Sequence, residues 1–265
     1  MIDVHAHLTD EKFDDINDVV TRAIEAGVQK IICSACDLVS SEKVISLAEK
    51  YESVYAVVGV HPENVDDFDE VAIKKLEKLA QNKKVVAIGE IGLDYYWRND
   101  NKNKQIDAFV KQIKLANSLN LPIVVHSREA IGDTINVLQH NKVLKESLLH
   151  CYSGSVESAK TLSQLGFSFS FGGVVTFKNA KTAVEVVESL PIEKIMLETD
   201  CPYLSPEPFR GKRNEPKNVV YIADKIAKIK GMKIEDVAEI TTRNAKRMFN
   251  VWVTLFLKRN LGKIS

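Results

Sequence analysis

Short apolar runs rich in β-branched residues alternate along the chain with longer stretches in which apolar residues recur at helical spacing. Runs of the first kind predict strands at residues 2–4, 28–33, 54–60, 85–91, 122–125, 148–149, 167–171 and 195–197. Stretches of the second kind predict helices, for example at 14–26, 106–119 and 219–229. The first of these helices is followed by Gly27, a residue type that is common just after a helix end.

This alternation predicts an α/β protein with a parallel sheet, because apolar strands separated by helices are covered on both faces. Eight such units in 265 residues predict a closed (β/α)8 barrel, the TIM barrel, as a single domain over 1–265. The alternative is an open doubly wound sheet, but no glycine-rich phosphate loop follows the first strand. We find no proline- or serine-rich linker, no internal repeat and no low-complexity segment.

Composition and charge are those of an ordinary globular protein, with 45% hydrophobic and 27% charged residues. The 36 basic and 36 acidic residues cancel, so no overall field attracts nucleic acid or a membrane. Binding of a polyanion would therefore need a local basic patch. We expect no signal peptide, no membrane association and a cytoplasmic location, because no basic segment followed by an apolar one comes after Met1.

The four cysteines are expected to be reduced thiols. Cys33 and Cys36 form a C-x-x-C pair, which can belong to a redox motif or to half of a zinc site. No second pair follows at zinc-ribbon spacing, so we interpret both as small residues that pack at a strand end. Cys151 and Cys201 are also expected to pack in the interior.

Polar residues that bind metals or move protons stand at or near the ends of six predicted strands. They are His5, His7, His61, Glu90, His126, His150 and Asp200. Active sites of these barrels lie at the carboxyl ends of the strands, so these groups should converge. Alternate residues of a strand point to the same side, which lets His5 and His7 reach one ion. Only His140, of six histidines, falls in a helical surface stretch. The pattern predicts a metal site.

The same residues resemble the amidohydrolase superfamily, with HxH on strand one, a carboxylate on strand four, histidines on strands five and six, and aspartate on strand eight. The segments GEIGLDYY, VHSREA, HCYSG and LETDCPYL resemble the TatD family of metal-dependent deoxyribonucleases, over residues 2–249. The resemblance implies a divalent metal centre with two ions and hydrolysis of DNA phosphodiesters. By position, the implied metal ligands are His5, His7, Glu90, His126, His150 and Asp200.

Roles can be assigned on this resemblance. His5, His7 and Asp200 would hold one ion and His126 and His150 the other. Glu90 would bridge the two ions, since a carboxylate offers one oxygen to each. Asp200 is also expected to accept a proton during catalysis. The mixed ligand set suits Zn²⁺, Mn²⁺ or Co²⁺ and permits Mg²⁺.

His61 lies in the segment GVHP, where the family also has a histidine. We expect it to be a catalytic residue near the substrate phosphate. The alternative is that it fixes the turn at Pro62.

Basic and aromatic residues near the strand ends are candidates for substrate binding. Arg128, Lys178, Arg210, Lys212 and Arg213 are predicted to neutralise phosphates. Tyr95, Tyr96, Trp97 and Tyr152 are predicted to stack on bases. The alternative for each is an ordinary solvated loop residue. After the family's usual end, residues 251–265 are predicted to extend the last helix, with Trp252, Val253, Leu255 and Phe256 packing on the barrel's outer face or in an oligomer contact.

Three functions remain open at this point. The first is an exonuclease that acts on single-stranded DNA or on free ends, because a barrel mouth admits a flexible end more easily than a duplex. The second is a hydrolase of cyclic amides, lactones or aminoacyl esters with the same site. The third is a metal-stabilised scaffold, which would not need the spare acidic groups of this site. The oligomeric state is not indicated.

Overall fold

The computed structural model describes residues 1–252, and eight parallel strands form a single sheet in the order β1 to β8 within them. The strands are β1 Ile2–Ala6, β2 Lys30–Ser34, β3 Val54–Val58, β4 Val85–Asp94, β5 Ile123–Arg128, β6 Ser147–Leu149, β7 Phe167–Phe171 and β8 Ile195–Leu197. The first and last strands meet where Ala6 bridges Cys201 and the His7 amide donates to the Cys201 carbonyl at 2.7 Å. The predicted (β/α)8 barrel is confirmed.

Helices lie between the strands and cover the sheet from outside. They are α1 Ile16–Glu25, α2 Leu38–Lys50, α3 Glu70–Leu79, α4 Lys102–Ser118, α5 Ile131–His140, α6 Val156–Gln164, α7 Lys181–Ser189, α8 Val219–Lys230 and α9 Ile234–Phe249. Single 3-10 turns occur at Pro62–Asn64, Gly173–Thr176, Ile192–Lys194 and Pro216–Asn218. Local interactions determine where two of these helices begin or end. Asp37 accepts from the Ser40 amide at the start of α2, and Gly231 takes a left-handed conformation after α8.

The barrel interior is a separate apolar cluster, closed at the bottom by α9. It joins residues of alternate strand positions, such as Val4, Ile32 and Val124, to Met248 and Phe249 of α9. A larger cluster fills the layer between the strands and the surrounding helices. Apolar side chains fill the barrel interior at the amino ends of the strands. Polar groups can therefore meet inside the barrel only at the carboxyl ends of the strands.

Strand β4 continues to Asp94, three residues beyond the predicted end, and β5 continues to Arg128. Gly92 lies in this added part with φ 140°, and a Cβ there would stand 2.1 Å from the His126 carbonyl oxygen. Glycine therefore lets β4 approach β5 closely beside the polar residues of the barrel mouth. Glycines weaken a strand prediction, so the sequence alone predicts an end of β4 at residue 91, three residues too early.

The last helix ends at Phe249, because Asn250 adopts the left-handed conformation with φ 54°. Val251 is buried and Trp252 is exposed, and neither is helical. The predicted continuation of the helix is therefore not found at residues 251 and 252. The rest of that prediction, 253–265, lies outside the described residues. Within 1–252 no helix has the length and apolar character needed to cross a membrane.

Candidate metal centre

Two histidines and one aspartate meet where β1 ends beside the loop after β8. The Nε2 atoms of His5 and His7 lie 3.1 Å apart. Asp200 Oδ1 is 3.3 Å from His7 Nε2 and 3.8 Å from His5 Nε2. Asp200 reaches this position through a left-handed turn, φ 54°, in which its amide donates to the His5 carbonyl at 2.9 Å. Aspartate is among the residues that tolerate this conformation.

Glu90 stands between this group and a second one from β5 and β6. Its Oε2 lies 2.8 Å from His150 Nε2, 3.6 Å from His126 Nδ1 and 3.6 Å from His5 Nε2. Its Oε1 lies 3.5 Å from His7 Nε2. The Glu90 side chain is only 4% exposed. The structure thus brings together all six sequence-predicted ligands, with Glu90 in the position expected of a bridge.

The spacing of these atoms fits a bound cation. Ligand atoms about 2.0–2.1 Å from a tetrahedral ion lie about 3.3 Å from one another. The separations of 3.1, 3.3 and 3.8 Å among His5, His7 and Asp200 scatter around that value. Two ring nitrogens that face each other at 3.1 Å also need a proton or a cation between them. The donor set of imidazoles and carboxylates suits divalent transition metals.

The electrostatics of Glu90 favour the ionised form that a metal ligand requires. Burial by itself would raise the pKa of Glu90. The charges of His150 and His5, together with hydrogen bonds from His126 and His150, instead hold this pKa well below its ordinary value. The carboxylate is therefore charged throughout the physiological pH range.

Three of the four ligand histidines have a hydrogen-bond partner on the ring nitrogen that faces away from the cluster. His5 Nδ1 is 3.1 Å from the Ser34 hydroxyl, and His7 Nδ1 is 3.2 Å from the Ser34 carbonyl. His126 Nε2 is 2.9 Å from Asp94 Oδ2. Such outer partners orient the ring and select its tautomer, as in known metal sites. Sequence reasoning missed both Ser34 and Asp94.

His61 lies three residues after β3 and is buried against the His126 ring, with ring centroids 4.5 Å apart. Its Nδ1 accepts the Glu63 amide at 3.2 Å, which supports the alternative that His61 fixes the turn beginning at Pro62. Burial, followed by the charge of His126, lowers the pKa of His61 to about 3. The ring is therefore neutral at pH 7, with its proton on Nε2, and can serve as a hydrogen-bond donor.

Five residues of the cluster, all except His5, line a cavity of about 630 Å³ at the barrel mouth, together with Cys36, Glu63, Trp97, Arg128 and Tyr203. This volume is within the usual range for small-ligand sites. Cys33 is buried as predicted, but the packing prediction for Cys36 is wrong. Its Sγ faces the cavity, 3.7 Å from Glu90 Oε1 and 3.9 Å from His7 Nδ1. Cys36 lies just past the carboxyl end of β2, and this position in the sequence could have identified it as a residue of the barrel mouth.

Comparison with known proteins agrees with this site. The model of the family described as TatD related DNase matches residues 2–250. An uncharacterized metal-dependent hydrolase of Bacillus subtilis, YabD, is 42% identical over 95% of this chain and 99% of its own length. The uncharacterized metal-dependent hydrolase YcfH of Escherichia coli is 36% identical over 95% of this chain and 96% of its own. The chain belongs to the TatD family.

A solved structure supports the assignment. The TatD homologue YjjV of E. coli superimposes with a TM-score of 0.91 and 30% identity, over 95% of this chain and 98% of that one. The protein is thus a metal-dependent hydrolase of the TatD family.

The fourth ligand histidine of this TatD protein faces a buried glutamate that sequence reasoning also missed. His150 Nδ1 and Glu198 Oε1 are 4.0 Å apart, and neither has a hydrogen-bond partner within the described part of the chain. The other oxygen of Glu198 accepts from Ser170 at 2.5 Å. Glu198 precedes Asp200 by two residues, and this spacing was the only signal in the sequence.

Burial, followed by the charge of Asp200, raises the pKa of Glu198 well above its ordinary value. A cation held by His150 would favour the ionised form, which accepts from the His150 ring more strongly than a neutral amide, so replacing Glu198 by Gln should weaken metal binding about 10- to 100-fold. Competition with a chromophoric chelator measures the affinity. Glu185→Gln, on the exposed face of α7, is the matched control. Unchanged affinity in Glu198→Gln would show that Glu198 does not orient His150.

Removing the metal should abolish hydrolysis by this TatD protein and leave the fold intact. The two apolar clusters that hold the barrel together do not include the metal ligands. After treatment with EDTA we expect no turnover and an unchanged far-ultraviolet circular dichroism spectrum. Turnover should return on adding a divalent ion. Loss of the helical spectrum on chelation would instead show that the site is structural.

Two of the tyrosines predicted to stack on bases are not available to a ligand. Tyr152 is 5% exposed, packs on Phe169 and donates its hydroxyl to the Ser155 carbonyl at 3.0 Å. Tyr95 is 9% exposed and donates to Asp133 at 2.8 Å. The prediction is therefore wrong for both, because their rings complete the core beside the strand ends. Tyr96 and Trp97, in contrast, are exposed at the mouth.

The predicted phosphate-binding cations have different surroundings. Arg128 lines the cavity. Arg210 stacks on Phe177 at 4.2 Å, and Lys178 and Lys212 are exposed. None of these last three lines the cavity.

Arg213 is bound within the protein. Its guanidinium contacts Asp15 at 2.8 Å and Glu215 at 3.1 Å, and donates to the Lys12 carbonyl at 2.9 Å. Its predicted phosphate contact is therefore wrong, because two carboxylates already neutralise the guanidinium. Arg213 connects the loop after β8 to the start of α1.

Replacing Arg213 by Ala should lower stability without changing any affinity for single-stranded DNA. A partly exposed ion-pair network contributes about 1 kcal/mol, which corresponds to about 2–4 °C in Tm for a domain of this size. Thermal denaturation measures the first effect, and binding of labelled single-stranded DNA the second. Arg210→Ala is the control for the thermal measurement, since Arg210 stacks on Phe177 and makes no ion pair in residues 1–252. Weaker DNA binding at an unchanged Tm would restore Arg213 as a phosphate ligand.

Proposed function

We propose that this TatD-family protein is a deoxyribonuclease that hydrolyses phosphodiester bonds at free, single-stranded DNA ends with two divalent ions. The observation that carries the proposal is the cluster of four histidines and two carboxylates at the mouth cavity. His5, Glu90 and His150 are buried, and the partly exposed His7, His126 and Asp200 line the cavity, so a bond must enter the cavity to react. A flexible end can do so more easily than a continuous duplex.

We expect two sets of metal ligands. His5, His7 and Asp200 would hold one ion, His126 and His150 the other, and Glu90 would bridge them. When bound, divalent ions acidify water and offset the negative charge of a phosphate. Zn²⁺, Mn²⁺, Co²⁺ and Mg²⁺ all remain compatible with these ligands.

The chain's own residues supply the remaining steps. The Asp200 side chain is 14% exposed toward the cavity and would take the proton of the attacking water and pass it to the leaving oxygen. The His61 Nε2–H would donate a hydrogen bond to a phosphate oxygen. Arg128, at the cavity wall, would pair with a phosphate through its planar donor group. Each of these groups acts best in a mouth from which most water is excluded.

A substrate panel tests the proposal. The metal-loaded protein is offered linear single-stranded DNA, the same sequence as a closed circle, a cyclic amide and an aminoacyl ester. We expect digestion of the linear strand and survival of the circle. Glu90→Gln, purified in parallel, controls for contaminating nucleases. Equal digestion of the circle would exclude dependence on ends, and cleavage of only the amide or the ester would replace the nuclease proposal by that activity.

A further inference from the structure

Exposed aromatic side chains are concentrated at the mouth of the barrel. In residues 1–252, five aromatic residues are substantially exposed, namely Tyr96, Trp97, Tyr203, Tyr221 and Trp252. Trp97, which is 60% exposed, and Tyr203 line the cavity together with residues of the candidate metal centre. Tyr96 contacts Trp97 edge to face, with ring centroids 4.8 Å apart. Large apolar surface left open beside a polar site is typical of ligand contact.

Arg128 completes this surface. Its guanidinium lies over the Tyr96 ring at 3.8 Å and near the Trp97 ring at 5.5 Å. Arg128 forms no ion pair with any carboxylate of the described chain, in contrast to Arg213. Its charge therefore remains available to an anionic ligand. We call Tyr96, Trp97 and Arg128 the aromatic wall.

The aromatic wall is fixed to the metal centre by one carboxylate. Asp94 Oδ1 accepts the backbone amides of Tyr96 at 3.0 Å and Trp97 at 2.9 Å. The other oxygen, Oδ2, contacts His126 Nε2 at 2.9 Å. Arg128 follows His126 by two residues on β5. The position of the wall relative to the ligand His126 is therefore set by direct contacts rather than by a free loop.

These observations point to one kind of ligand. A flat apolar face next to an unpaired guanidinium is complementary to an aromatic ring joined to a phosphate. We propose that the aromatic wall is a subsite for one unpaired nucleobase adjacent to the scissile phosphate, with the base stacked on Trp97 and its phosphate paired with Arg128. This inference rests on the proposed function for the bond that is cut. Stacking is tolerant of base identity, so little sequence preference is expected.

The two tryptophans of the chain allow a direct binding test, since they are Trp97 and Trp252. In Trp252→Phe, Trp97 is the only fluorescent indole. The metal-loaded variant is titrated with thymidine 5′-phosphate and, as the base-free control, with deoxyribose 5-phosphate. We expect saturable quenching by the nucleotide and none by the sugar phosphate. Equal responses to both ligands, or no response to either, would overturn the subsite.

A kinetic test separates the subsite from the chemistry. Thymidine 5′-(p-nitrophenyl phosphate) and methyl p-nitrophenyl phosphate share the bond and the leaving group but differ in the base. Trp97→Ala should raise KM for the thymidine ester about tenfold and leave that for the methyl ester unchanged. Trp252→Ala, an exposed tryptophan that does not line the mouth cavity, is the matched control.

The outcomes distinguish the two proposals. If Trp97→Ala raises KM for both esters equally, the aromatic wall supports the metal centre and is not a base subsite. If the parent protein hydrolyses neither ester while the nucleotide still quenches Trp97, the nuclease proposal fails and the nucleotide subsite stands.

Discussion

Replacing Glu90 by Gln should reduce bound metal to a small fraction and lower turnover at least about 100-fold. Loss of a residue that only hydrogen-bonds to a metal ligand typically costs about 10- to 100-fold in metal affinity. Glu90 is expected to bind the metal directly, so its loss should cost more. Its two oxygens face His150 at 2.8 Å and His7 at 3.5 Å, so it belongs to both halves of the cluster. Glutamine has the same shape but places an NH₂ group where one of those oxygens would bind a cation.

Metal content per chain and turnover of a small phosphodiester are measured on the same preparation. Glu185→Gln provides the matched control, because it makes the same chemical change on the exposed surface of α7. Far-ultraviolet circular dichroism confirms that both variants are folded. A Glu90→Gln protein with normal metal content would contradict the assignment of Glu90 as a bridge.

Asp200→Asn should lose about 10²- to 10⁴-fold in turnover, the usual contribution of a proton-transfer group. Metal content should fall much less, since His5, His7 and Glu90 remain. We expect turnover to fall more than metal content because of where the Asp200 side chain lies. Both side chains line the cavity, but that of Asp200 is 14% exposed whereas that of Glu90 is 4% exposed.

The ratio of the two losses is the informative quantity. Turnover per bound metal ion should fall sharply in Asp200→Asn, and that ratio is obtained by assaying the protein after metal analysis. Asp10→Asn provides a useful comparison, because Asp10 also lines the cavity but bonds to Tyr203 and belongs to none of the ligand clusters. If turnover and metal content fall in proportion, Asp200 is a ligand only.

The barrel could be predicted from the sequence because its strands are buried on both faces. Such strands appear as continuous apolar runs, and the run that predicts β7 has the bounds that the structure shows. The end of β4 was missed for a local reason. Gly92 has no side chain to reveal burial, and its φ of 140° is not a regular strand value. Close packing against β5, which the sequence does not display, decides the structure there.

The convergence of the six ligands was also predictable, since topology alone brings carboxyl strand ends together. Their supporting partners were not. The contact of Asp94 with His126 joins neighbouring strands whose relative register is visible only in three dimensions. The errors at Arg213 and Tyr152 have the same origin. A residue type indicates what a side chain can bind, but a nearby carboxylate or core decides whether it is available.

The most direct test of the central claim, that these six residues form a divalent metal centre, is anomalous diffraction from crystals grown with Mn²⁺ or Zn²⁺. We expect two peaks in the barrel mouth, one among His5, His7 and Asp200 and one beside His126 and His150, with Glu90 between them. An absence of anomalous density at these residues in a protein that hydrolyses its substrate, or density at a different cluster, would contradict it.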